Sequence, residues 1–115
     1  MSDDPRRFLR YLDAERNASL LYRALAESTD GEQREALLEL ADVEDKHAQH
    51  WVDKLTTYGV EIPPAPTVLN ADDEQLVRRA RSLGLVSVLD TLEQNEGADA
   101  GMYDDEPEAL PTMPS

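Results

Sequence analysis

Glu44 and His47 are the residues best suited to chemistry in this 115-residue chain: a carboxylate and an imidazole three positions apart, inside an otherwise apolar helical stripe. At about 100° per residue, Leu37, Leu40, Ala41, His47, Ala48, Trp51 and Leu55 all fall within about 60° of Glu44. That stripe is the face a helix buries, so both polar groups are carried inward. An ionised glutamate alone in a core costs several kcal/mol, and the pair needs a polar network or a metal cation to neutralise it. With no cysteine in the chain, any metal site is built from carboxylate and imidazole; disulfides, thiolate zinc sites and iron-sulfur clusters are excluded.

A second inward acid lies earlier in the chain. Phe8, Tyr11, Leu12, Ala18, Ser19, Tyr22 and Ala26 fall within about 60° of Glu15 on a helical wheel, so Glu15 is central to its own apolar face. Ser28-Thr29-Asp30-Gly31 reads as a short polar turn that folds the next helix back antiparallel. From a turn centred near Asp30, Glu15 is 15 residues back, Glu44 is 14 forward and His47 is 17 forward. At ~1.5 Å rise per residue all three stand roughly 22 Å from the turn, so a carboxylate of the first helix faces a Glu-x-x-His pair of the second. A Glu-x-x-His helix is the recurring half-site of di-iron and di-manganese carboxylate bundles. The plainer alternative is a charged core network, or helices rotated enough to leave the acids wet.

The elements that must position these groups are helices. Apolar residues make up 40% of the chain and aromatics 5%, and Ala, Leu, Glu and Arg dominate the first half, as in packed helices. The first helix is expected over about 5–27, capped by Ser2 to Asp4 with Pro5 in its first turn, and the second over about 32–58, stopped by Gly59 and the proline-rich run at 62–66. A stiff linker leads to a third helix over about 73–96, capped by Asn70 or Asp72 and interrupted in its apolar pattern by Gly84. Residues 97–115 read as an acidic, proline-rich, loosely attached tail with Met102, Tyr103 and Leu110 as its anchors. Residues 1–96 thus form one all-α domain.

Twenty-five acidic against 11 basic residues give a formal charge of −14, which argues against nucleic acid and anionic membranes and favours cations. No apolar run is long enough to cross a membrane, and Met1 to Arg10 is too charged for a secretory signal. The expectation is a soluble, cytoplasmic chain.

The run Glu15-Arg-Asn-Ala-Ser-Leu-Leu-Tyr-Arg-Ala-Leu-Ala-Glu27, followed by Leu40-Ala-Asp-Val-Glu-Asp-Lys-His47-Ala and Trp51, resembles the rubrerythrin-like branch of the ferritin-like superfamily. The likeness is greatest to the ferritin-like domain attached to vacuolar-iron-transporter-type membrane proteins, and continues more weakly through Leu89 to Tyr103. This resemblance implies that Glu15, Glu44 and His47 bind iron, with Glu44 bridging two metals, and that the third helix adds a carboxylate, either Glu93 or Glu96. It also implies a fourth helix with a second Glu-x-x-His, which these residues do not contain. Two repairs suggest themselves. Two chains can pair their hairpins about a twofold axis, each giving Glu15, Glu44 and His47 to a shared site, as encapsulated ferritins similarly do. Otherwise the sequence continues into a fourth helix and a membrane transporter.

The chemistry then expected is oxidation of Fe(II), with manganese as the alternative metal, by dioxygen or peroxide. Rubrerythrin-like peroxide reduction ranks below ferroxidase activity because it uses an iron-cysteine centre. Two other readings stand: a non-catalytic metal-sensing or delivery module, and a plain helical interaction domain. His50, about 120° round from Glu44, is expected at the surface with at most an accessory metal role. Tyr22 and Trp51, aligned with Glu15 and Glu44, are expected to pack in the core, the alternative being to donate electrons or limit damage beside an oxidising metal. Leu9, Leu20 and Leu21 point away from the Glu15 face and need a partner, either the third helix or another subunit.

Overall fold

The structure, a computed structural model, describes residues 5–101, with side chains as far as residue 95. The expected cap at Ser2 to Asp4, the side chain of Glu96, and Met102, Tyr103 and Leu110 lie outside the described residues. Those described are helical, without strands: α1 (Arg6–Glu27), α2 (Gly31–Thr57), α3 (Ala71–Leu83), a 3-10 turn at Leu85–Val88, and α4 (Leu89–Gly101). None of these helices is long and apolar enough to cross a membrane.

The α1–α2 hairpin is the body of the fold, and its turn is made by local hydrogen bonds. The hydroxyls of Ser28 and Thr29 donate to the Leu25 carbonyl at 3.3 and 2.7 Å, joining the Ser28 N–H at 3.3 Å on a carbonyl of the last turn of α1. Asp30 is extended, and Gly31 then takes φ +62°, a left-handed value that side chains resist, so three residues suffice to reverse the chain. At the far end of α2, Gly59 at φ +72° lets the Val60 N–H donate to Leu55 O and the Gly59 N–H to Thr56 O, both at 3.0 Å, a closure that stops the helix and turns the linker back.

Leu9 and Leu20 meet that linker. Leu9 shares a surface cleft with Ile62, Pro63 and Pro64, and Leu20 another with Ala65 and Pro66. Arg16 pins the strap by donating to the Pro63 carbonyl at 2.8 Å. Leu21 joins the core cluster containing Leu76, Val77 and Ala80 of α3. The three outward leucines therefore find partners within one chain.

A single third helix over 73–96 is not what forms. Asn70 caps α3, its side chain accepting from the Asp73 N–H at 2.9 Å, and α3 ends at Gly84, where φ is +91°. The apolar rows on either side of Gly84 then belong to separate elements. Helix α4 runs to Gly101, past the position where the tail was expected to begin.

The apolar interior is divided in two. Near the hairpin turn, Leu21, Tyr22, Leu25, Ala26, Leu37 and Ala41 pack with residues of α3, the 3-10 turn and α4. Towards the open end, Phe8, Tyr11, Leu12, Ala48, Trp51 and Leu55 form a second cluster, bordered by Leu9, Val60 and Ile62. Between the clusters lies a polar band.

Candidate metal centre

The polar band consists of Glu15 and Ser19 from α1 and Glu44 and His47 from α2. Glu15 and His47 are each 3% exposed and Ser19 is 6% exposed, making them the buried polar residues among those described. Periodicity puts them there: Glu15 and Ser19 continue the α1 stripe that carries Leu12 and Tyr22, and Glu44 and His47 continue the α2 stripe that carries Ala41 and Ala48.

The geometry brings three of the predicted ligands together. One donor atom each from Glu15, Glu44 and His47 lies within 4.8 Å of the others. His47 Nδ1 is 3.4 Å from Glu15 Oε2 across the hairpin and 3.9 Å from Glu44 Oε1 one turn back. Its other nitrogen, Nε2, is buried and meets no hydrogen-bond partner among the described residues. Glu44, with 20% of its side chain exposed, forms the edge of the site towards solvent. Carboxylate and imidazole donors suit iron, manganese or zinc, so the residues fit a first-row metal ion.

Around this centre is an ionic network. The Ser19 hydroxyl donates to Asp45 Oδ1 at 2.6 Å, and Asp45 Oδ2 accepts from Arg23, which also reaches Asp42 at 3.1 Å. Asp45 first, then Asp42, holds the Arg23 guanidinium even more firmly protonated than usual. All three charges are largely exposed, so the network fixes hairpin register more than it adds stability. Sequence reasoning assigned no role to Asp45 or Arg23: counted from the turn at Asp30 they stand at different depths, 7 residues back and 15 forward, and only the length of the arginine side chain lets them meet.

The remaining candidates lie elsewhere. Glu93 is exposed on α4 and borders an open groove of about 340 Å³ with Tyr22, Leu37, Leu40, Leu89 and Leu92; it is not in the three-residue cluster. His50 is half-buried, its ring 4.7 Å from that of Trp51. Tyr22 belongs to the core near the turn, whereas Trp51 belongs to the other core and pairs with Tyr11, an aromatic that the sequence did not single out.

The chain matches no protein-family model, no curated protein and no solved structure.

Proposed function

We propose that this protein binds Fe(II) at Glu15, Glu44 and His47 and oxidises it, as a ferritin-like di-iron protein whose site is completed by a second copy of the chain. The observation that carries this reading is the convergence of two carboxylates and an imidazole within 4.8 Å, in a band between two apolar clusters. Two carboxylates beside one imidazole leave net negative charge in such a band, and a divalent ion neutralises both carboxylates and uses the imidazole lone pair.

Fe(II) is the substrate here, and two Fe(II) supply the two electrons that reduce peroxide to water, with protons from solvent. The residues of the chain bind and orient the ions. Glu15 and Glu44 favour the more highly charged ferric product, and the apolar residues above and below limit water. Pairing across a twofold axis doubles the set to four carboxylates and two imidazoles, the complement of a ferritin-like bundle. Its support is the surface beside Glu44, where Leu40 and Val43 are 39% and 41% exposed.

Anaerobic Fe(II) titration followed by exposure to air or peroxide tests the reading. The expected result is saturable binding and a ferric absorption that grows with turnover. Binding without oxidation would assign the chain instead to metal delivery or sensing, and absence of binding would reduce the band to a structural network.

A further inference from the structure

Four of the six aromatic residues of this chain stand in one row, and the row begins beside the candidate metal centre. Tyr11 precedes Glu15 by four residues and Trp51 follows His47 by four, so on an antiparallel hairpin the two rings form the next rung after the polar band. Their centroids are 4.8 Å apart. Phe8 stacks on Trp51 at 5.4 Å with 20° between planes, and its ring centroid lies 5.5 Å from that of Tyr58 and 6.4 Å from that of Tyr11. Trp51 and Phe8 are wholly buried, Tyr11 is 8% exposed, and Tyr58, at the C-terminal cap of α2, is 42% exposed. Packing alone does not require this; the other core is filled by aliphatic residues and a single tyrosine.

We propose that this row is a one-electron relay, with Trp51 and Tyr11 at its inner end, Phe8 as a contact bridge and Tyr58 as its surface terminal. Its use in chemistry rests on the oxidative reading above. Indole and phenol are the side chains most readily oxidised by one electron after thiols, and the chain has no thiol. A phenyl ring is much harder to oxidise, and the Arg7 guanidinium 4.5 Å above Phe8 further disfavours positive charge there, so Phe8 couples its neighbours without holding the hole itself.

The electron count closes as follows. When peroxide at the site draws more electrons than the ferrous substrate supplies, Trp51 gives one and becomes an indole radical cation. Tyr58 restores it by giving one electron, and the phenolic proton passes to the water that its exposure admits. A one-electron reductant of the ascorbate class returns an electron at Tyr58, with a proton from solvent. The peroxide O–O bond breaks to water as electrons and solvent protons arrive.

The test needs no metal. Trp51 is the only tryptophan, so flash photolysis of the metal-free protein, with a cobalt(III) ammine taking the ejected electron, creates the radical at one known place. The expected result is decay of the indole-radical absorption, independent of protein concentration, matched by growth of tyrosyl absorption that ascorbate quenches. Tyr58→Phe keeps transfer to Tyr11 but loses rapid quenching; the double variant Tyr11→Phe/Tyr58→Phe loses transfer; Tyr22→Phe behaves as wild type. Circular dichroism confirms that each variant is folded. Transfer that survives in the double variant, or quenching that is unchanged in Tyr58→Phe, overturns the relay. Absence of Fe(II) binding with transfer intact overturns the iron reading and leaves the relay standing; intact Fe(II) binding with transfer absent does the reverse.

Discussion

His47 Nδ1 lies 3.4 Å from Glu15 Oε2, a carboxylate of the other helix, while its ring sits one turn from Glu44 on its own. The imidazole is thus the point where the two halves of the hairpin meet at the centre. Removing it deprives both carboxylates of their shared neighbour, and removing Glu44 opens the site at its solvent edge. Each of Glu44→Ala and His47→Ala is therefore expected to abolish tight Fe(II) binding, whereas His50→Ala, altering a residue outside the cluster, changes it little. Anaerobic titration of the three variants checks this, and a His50 variant as defective as the His47 one would mean that the wrong histidine has been assigned.

Stability should rise with metal. An ion that binds only the folded site stabilises it by about 2.7 kcal/mol at a free concentration one hundred times Kd, and relieves repulsion between Glu15 and Glu44. For a domain of this size that is a rise in Tm of roughly ten degrees or more. Differential scanning calorimetry with excess Mn(II) or Zn(II) measures it. An equal rise in Glu15→Ala would remove the site as the cause.

The metal-bound form should be a dimer or an assembly of dimers, approaching one metal per chain, because one chain offers a single imidazole in the cluster and two metals call for two. Val43→Arg places a like charge on the exposed strip beside Glu44 and should weaken the dimer while leaving the fold nearly unchanged, since surface substitutions typically cost within about 0.5 kcal/mol. Analytical ultracentrifugation with metal analysis decides the matter. A monomer that keeps two tightly bound ions rules out the shared site.

Helix α3 depends on its cap. Asn70→Ala removes the bond to the Asp73 N–H and is expected to cost about 1 kcal/mol in urea unfolding at neutral pH. The cost should shrink in acid. Burial raises the Asp73 carboxyl above its usual range, and the hydrogen bond from the Asn70 amide pulls it back down. With the folded value raised, this group's contribution is full below the unfolded value and is lost as pH rises through the folded one. Deleting the amide raises the folded value further, so the variant loses more than the wild type over that rise. A pH-independent difference between the two would show that only the backbone cap matters.

The sequence by itself determined the hairpin and the contents of its polar band. Helical periodicity fixes the direction of each side chain, and a tight turn at Ser28 to Gly31 fixes the depth of each residue, so Glu15, Glu44 and His47 could be matched across two helices by counting. Tertiary structure decided what counting does not reach. The apolar pattern on both sides of Gly84 reads as one helix, because periodicity does not report that a backbone has turned through φ +91°, and that turn is what carries Glu93 to the groove beside Leu40. The linker at 60–66 has no period of its own, and only its closure by Gly59 and its bond from Arg16 bring it back over Leu9 and Leu20. The pairing of Trp51 with Tyr11 likewise depends on how two helices are rotated about each other, a quantity that belongs to neither helix alone.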